Sequence, residues 1–254
     1  NNFTPGSTFK LPTAIAAAIH GHAYDTEYCP GYITYGDIKI HCWKRLGHGQ
    51  LNLEGSIQRS CNCYFMRVAN EIGSAKMLDT FQLLGLGSKT GLELPSESAG
   101  FIPGSRYWRQ ELRPGAKVTA SITGMMSIGQ SDSAASPLQL AALVSAIANN
   151  GRYYKPRIIK RVVHPHQGTL LHNRPVLKTN LLNQGLKEKD LERIRQGMWL
   201  AANELGGTAR SAAVKDRDVC AKTGTAQTVD KGVKSHDAWT VAFAPHEQPK
   251  YVVV

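Results

Sequence analysis

Apolar residues fill nearly every position from Leu11 to His20, with no polar stripe, and the run stops at Gly21. That pattern predicts a helix buried on all sides rather than one lying on a surface, ended by a glycine. Residues 21–54 lose periodicity and gather Gly, His and Cys, which predicts irregular structure. Helical spacing returns in "SIQRSCNCYFMRVANEIG" (56–73) and again in "SAKMLDTFQLLG" (74–85). "SPLQLAALVSAIANNG" has the clearest boundaries, with Ser136 as N-cap, Pro137 at the first helical position and Gly151 past the last turn. A further helix is predicted over 187–205, with Leu191, Ile194, Met198, Ala201 and Leu205 on one stripe. "DVCAKTGTAQTV", "DAWTVAFAP" and "KYVVV" then read as consecutive antiparallel strands separated by turn residues. Buried helices followed by a run of strands predict an α+β fold, an antiparallel sheet flanked by helices.

Composition narrows this. The chain has 254 residues, 42% of them hydrophobic, with 24 glycines, enough for one composite domain with a substantial core. There is no internal repeat, and the longest apolar stretch near the start, Ala14 to Ile19, falls far short of the roughly 20 residues that cross a bilayer. The net charge of +11 is scattered, a solvated basic surface rather than a nucleic-acid stripe. Trp108 with Arg106 and Arg109 is read as loop packing, and "GLGSKTG" (85–91) as a helix end and turn, because it lacks the phosphate-loop pattern.

Three short motifs carry chemistry. Ser7 and Lys10 are three apart at the predicted start of the first helix, so the amine can reach the hydroxyl, and a lysine with a lowered pKa can take its proton. Pro5 and Gly6 would place the serine at a helix N-terminus, whose dipole favours an oxyanion. Taken alone, S-x-x-K is as compatible with a cap followed by a surface lysine. It is joined by Ser60-Cys61-Asn62 early in the second predicted helix and by Lys222-Thr223-Gly224-Thr225 on a predicted strand. S-x-x-K, S-x-N and K-T-G together form the motif set of penicillin-binding proteins and serine β-lactamases. Ser60 suits a proton relay and the Asn62 amide can hold substrate backbone. Lys222 supplies positive charge near a substrate carboxylate, Thr223 and Thr225 supply hydroxyls, and Gly224 would let the substrate backbone approach the strand.

With "PGSTFK", "GHGQLNLEGSIQRSCNCYF", "GLGSKTGLELPSESAGFIP", "SIGQSDSAASPLQLAALVSAIANNG", "GGTAR" and "AKTGTAQ" in order, the chain resembles the transpeptidase domain of class B penicillin-binding proteins, most similar to the elongation type. Two departures stand out: the family's G-Q-G is Gly129-Gln130-Ser131 here, and the glycine before K-T-G is Ala221. The resemblance implies a penicillin-binding-protein/serine β-lactamase-like fold with an all-helical subdomain, and a single domain over 1–254 that is partial at both ends. A membrane anchor and a pedestal domain would lie elsewhere. It implies acyl transfer from D-Ala-D-Ala stem peptides of peptidoglycan through Ser7, covalent inhibition by β-lactams, and oxyanion donors at the N–H groups of Ser7 and Thr225. It further implies a location at the bacterial inner membrane with the catalytic domain facing the periplasm, a membrane glycosyltransferase of the elongation machinery as partner, and no nucleic acid. A class D-like serine β-lactamase or β-lactam sensor is the alternative. His236 and Asp237 are placed at the rim of the groove.

Five cysteines leave an odd thiol. Cys29 and Cys42 could form a disulfide; alternatively Cys29, Cys42, His48 and Cys61 suit a closed tetrahedral zinc site, as in elongation-type relatives, where Asp, His and Cys share these positions. Zinc is the preferred reading, with Cys63 on another helix face and Cys220 as core.

Overall fold

Gly6 takes φ +54°, a conformation glycine adopts without strain, and opens a 3₁₀ turn over Gly6–Phe9. The turn passes directly into α1 (Lys10–Ile19), whose residues are buried from Lys10 to Ala18, the all-round burial its composition predicts. The computed structural model describes residues 2–230 and 233–254, the side chains of 227–230 and 233–236 excepted.

After α1 the chain makes two small antiparallel ladders where irregular structure is expected. β1 (Glu27–Cys29) pairs with β4 (Gly49–Leu51), and between them β2 (Tyr32–Tyr35) pairs with β3 (Ile38–His41). The single helix expected over 56–73 is two: α2 (Leu53–Gln58) and α3 (Asn62–Ile72). Ser60 between them sits at φ +51°, and Cys61 caps α3 by accepting from Tyr64 N. α2 packs mainly on a later helix, Glu188–Asn203, and α3 on α1 and the helix Ala120–Ser127, and the backbone turns between them at Ser60, whose carbonyl is taken by Lys10 Nζ at 2.7 Å.

α4 (Ser74–Leu83) packs on α1, and a π-helical turn at Trp108–Leu112 buries Trp108, whose indole N–H donates to Asp132. Trp108 is thus core and loop packing, as its sequence context suggests. α5 (Ala120–Ser127) has weak amphipathic spacing and goes unrecognised in the sequence; its signal is the Thr119 N-cap, which accepts from Ile122 N. α6 (Pro137–Ala148) carries a full capping box between Ser136 and Gln139. Four short strands follow: β5 (Arg152–Tyr154) pairs with β8 (Leu177–Asn180), and β6 (Arg161–His164) with β7 (Gly168–His172) as an exposed hairpin.

α7 (Glu188–Asn203) buries Leu191, Ile194, Met198 and Ala201, but it ends before Leu205, which is 79% exposed rather than part of the stripe. α7 and α2 approach closely at Gly197, where a Cβ would lie 2.8 Å from that of Ile57. The chain closes with β9 (Cys220–Asp230), β10 (Val233–Ala244) and β11 (Tyr251–Val253) in the antiparallel order β11-β10-β9, backed by α6 and α7. Helices around α1 on one side and this sheet on the other meet along the 3₁₀ turn, which lies against β9.

Candidate active site

A 3₁₀ turn eclipses side chains three apart, so Ser7 and Lys10 are stacked: Lys10 Nζ lies 3.0 Å from Ser7 Oγ. The same nitrogen is 3.0 Å from Ser60 Oγ, 2.7 Å from Ser60 O and 2.7 Å from Asn62 Oδ1. The carbonyl and the amide oxygen can only accept, so a neutral amine gives its two N–H bonds to them. Its lone pair is then left toward the two hydroxyls. Asn62 is oriented for this because its Nδ2 donates to His41 O.

Lys10 is fully buried, and desolvation lowers its pKa from 10.5 to about 8, partly offset by the nearby thiols. Lys222, also fully buried, donates to Ser60 Oγ at 2.9 Å and to Thr223 O at 2.7 Å. Burial, then the proximity of Lys10, push its pKa well below the ordinary lysine value. Ser60 Oγ therefore stands between two amines and can accept from one while donating to the other.

Strand alternation on β9 divides the K-T-G residues. Thr223 and Thr225 line the groove above Ser7, a cavity of about 660 Å³ that Ser60 and Asn62 also border. Thr223's hydroxyl is committed to Thr208 O at 3.1 Å, which leaves Thr225 as the exposed hydroxyl of the pair. Gly224 corrects its expected role. A Cβ there would meet Pro5 O and Thr8 Cγ2 at 3.0 Å, so its bareness lets the strand press on the serine turn, on the face away from the groove. Gly6 is matched to it, with Thr225 O 2.7 Å from where its Cβ would stand. Gly129 completes the packing: its Cβ would lie 2.1 Å from Gly6 O. Ser131, in place of the family's second glycine, sits at φ +62°, a strained conformation for a residue with a side chain. Ala221 is fully buried and packs with Ala201, Ala202, Ala209 and Val219. Asp237 is half-buried on β10, and the side chain of His236 lies outside the described residues.

Cys29, Cys42, His48 and Cys61 converge beneath Asn62, with their ligand atoms all within 4.8 Å of one another and all four residues buried. His48 Nδ1 lies 3.5 Å from Cys29 Sγ and 3.6 Å from Cys42 Sγ, and the five cysteines are free thiols rather than a Cys29–Cys42 bridge. Hydrogen bonds from Cys61 depress Cys29 to about 5 and drive Cys42 lower still, while the same bonds push Cys61 up, so the thiolate character lies on Cys29 and Cys42. Three sulfurs and an imidazole with buried thiolate charge fit a tetrahedral zinc ion. Cys63 is core as expected and is not one of the four convergent residues, though it lies near enough to help lower Cys42. Cys220 is core and raised by burial. Gln130 and Thr208, from the "SIGQSDS" and "GGTAR" segments, also border the groove, as do Trp43 and Arg45, which carry no motif that singles them out.

The chain matches the penicillin binding protein transpeptidase domain over residues 1–254. It is 32% identical over 272 residues to peptidoglycan D,D-transpeptidase MrdA of Haemophilus influenzae, covering 99% of the chain and 40% of that protein. It is 31% identical over 261 residues to Stage V sporulation protein D of Bacillus subtilis, covering 100% of the chain and 38% of that protein. Among solved structures, penicillin-binding protein PBP2 of Helicobacter pylori, in its complex with MreC, superposes with a TM-score of 0.83 at 30% identity, over 99% of this chain and 44% of that one. The chain thus spans about two fifths of the length of the curated relatives it matches.

Proposed function

From the premise that the chain belongs to the penicillin-binding-protein transpeptidase family, we propose that it is a serine D,D-transpeptidase that cross-links peptidoglycan stem peptides. The observation that carries this reading is the single amine of Lys10, 3.0 Å from the hydroxyls of both Ser7 and Ser60 and saturated as a donor by two obligate acceptors.

Ser7 Oγ attacks the penultimate D-alanine carbonyl of a D-Ala-D-Ala donor as its proton passes to the Lys10 lone pair. The oxyanion is received by the N–H groups of Ser7 and Thr225, which the close contact of Gly6 with the Thr225 backbone supports. As the C–N bond breaks, Ser60 gives its proton to the departing D-alanine amine and is reprotonated by the Lys10 ammonium. The acyl-enzyme is then attacked by an amine of a neighbouring stem peptide, which loses its proton to the same Lys10–Ser60 pair; as the ester C–O bond breaks, Lys10 returns a proton to Ser7 Oγ and the free serine is restored. A β-lactam enters as a donor mimic and remains on Ser7. Lys222, fully buried and held at Ser60 Oγ and Thr223 O, steadies the Ser60 hydroxyl for the proton relay, and the exposed Thr225 hydroxyl is left to meet the donor's carboxylate.

The class D-like reading requires a carboxylated lysine. A carbamate on Lys10 would set two anionic oxygens against Ser60 O and Asn62 Oδ1, both acceptors, which favours the unmodified amine.

We place zinc at Cys29, Cys42, His48 and Cys61 on the strength of the donor set. Bound there, it would tie the β1–β4 ladder to the start of α3 in a purely structural role. Cys61 lies between Ser60 and Asn62, so this anchor positions both. The elongation role is supported by the MrdA relatives; a membrane glycosyltransferase partner and a location at the inner membrane facing the periplasm are what the resemblance implies. The H. pylori relative assembles with MreC. Among the described residues no helix is long and apolar enough to cross a membrane.

Fluorescent penicillin tests the central claim. A long-lived adduct absent from Ser7→Ala is expected, whereas rapid release of hydrolysed drug would establish a lactamase, and no adduct would leave a silent scaffold.

A further inference from the structure

One wall of the groove takes no part in the acyl transfer. It is made by the end of β3 and the segment that follows it, which carry His41, Trp43 and Arg45 to the mouth of the cavity. This segment is held unusually firmly for an exposed loop. Cys42 N donates to Gly31 O at 2.9 Å, and His48 N donates to Cys29 O at 3.1 Å. The two chains cross at glycines: a Cβ on Gly31 (φ +95°) would lie 2.0 Å from Arg45 O, and one on Gly47 (φ +80°) would lie 2.2 Å from Cys29 O. Only residues without a side chain allow this approach, so the backbone of Arg45 is fixed by packing as well as by hydrogen bonds.

Trp43 is likewise fixed. Its indole N–H donates to Arg59 O at 2.9 Å and its ring stacks edge-on against His48 at 5.2 Å, yet 57% of the residue remains exposed. Holding a large aromatic face toward a groove is what a binding wall requires and what a solvated loop would avoid. Arg45 is exposed beside it, and among the described residues it has no carboxylate partner. No Asp or Glu borders the groove among the described residues either. A permanently charged, planar donor without an internal partner, next to an anchored aromatic, is complementary to a carboxylate carried on a partly apolar chain.

We propose that Arg45 is a specificity-determining residue of the groove, binding an internal free carboxylate of the stem peptide while Trp43 covers the peptide's apolar part. This rests on the reading of Ser7 as the acylating serine and extends it. The donor's terminal carboxylate belongs to the K-T-G strand, so Arg45 reads a second anionic group, away from the scissile bond.

The test separates the two claims by removing turnover. Binding of a synthetic peptide ending in D-Ala-D-Ala with one internal free carboxylate, and of its internal carboxamide counterpart, is measured by calorimetry on Ser7→Ala. The carboxylate peptide is expected to bind about tenfold more tightly or better, as a charge-assisted bond implies. Adding Arg45→Ala or Arg45→Gln should erase that preference to within about twofold, and Arg45→Lys should retain part of it. Arg45→Gln keeps most of the side-chain volume and reads the charge even if the alanine variant misfolds. Equal binding of both peptides to Ser7→Ala, or a preference that survives Arg45→Gln, would overturn the proposal. Absence of a penicillin adduct on the unaltered protein would instead remove the transpeptidase reading and leave the measured carboxylate preference standing.

Discussion

Lys222 Nζ donates to Ser60 Oγ at 2.9 Å across 162 residues of chain, and in doing so joins the K-T-G strand to the S-x-N loop at one hydroxyl. Lys10 reaches that hydroxyl from the other side at 3.0 Å. Two buried amines around one serine form a path along which a proton can move in either direction.

If the Lys10 amine is the base, Lys10→Met, which keeps the bulk of the side chain without the nitrogen, should slow acylation by penicillin about 100- to 10,000-fold. The fold should persist, because the substitution relieves a buried amine of its desolvation cost while filling its space. Stopped-flow fluorescence and a thermal melt read the two effects separately, and unchanged acylation would exclude Lys10 as base.

The pH dependence has a definite sign. With Lys10 lowered from 10.5 to about 8, the reactive neutral amine becomes populated as pH rises, so acylation should accelerate up to about pH 8 and then level off. In stability terms the unfolded chain holds the extra proton between about 8 and 10.5. This group's contribution therefore grows as pH rises through that window and is at its lowest below it. Acylation rates measured from pH 6 to 9.5 that fall with rising pH would contradict the assignment.

One zinc per chain is expected on elemental analysis of the purified protein. Stripping it with a strong chelator should lower the melting temperature and, by loosening Ser60 and Asn62, slow penicillin acylation; restored zinc should reverse both. Cys42→Ser should reproduce the loss. Metal-free protein carrying a Cys29–Cys42 bridge by mass spectrometry would favour the disulfide.

Gly129→Ala tests the packing under the serine. The added methyl would overlap Gly6 O at 2.1 Å, and φ is +67°, so about 1–3 kcal/mol of destabilisation is expected together with reduced acylation. Denaturant unfolding measures the first effect. An alanine variant with wild-type stability and labelling would mean that the serine turn is more yielding than its contacts imply.

The helix ends announced by capping chemistry and the strands announced by alternation were legible, because local hydrogen bonding and a one-sided core set them. Ser136 and Pro137 begin α6 where their residue types indicate, and the last three strands pair in the order their spacing suggests. α5 was not legible, since its eight residues include Gly124 and the polar Ser121, Thr123 and Ser127 and leave no apolar stripe. The break at Ser60 was hidden for another reason. Its left-handed turn is held by Lys10, a contact fifty residues away in sequence, and helical periodicity continues on either side.

Residue types at short spacing, Ser7 with Lys10, Ser60 with Asn62, and Lys222 through Thr225, were enough to name the chemistry, because each group's role follows from its own donors, acceptors and charge. The candidate metal set of Cys29, Cys42, His48 and Cys61, which converges in the structure, was likewise visible in residue types and spacing. Only the tertiary structure decided that Lys10 spends its N–H bonds on two acceptors, that Gly224 serves the serine turn, and that Arg45 stands at the groove with no carboxylate partner among the described residues. The reason is physical: lone-pair direction, close backbone approach and unpaired charge are properties of what surrounds a residue, and those surroundings come from distant parts of the chain.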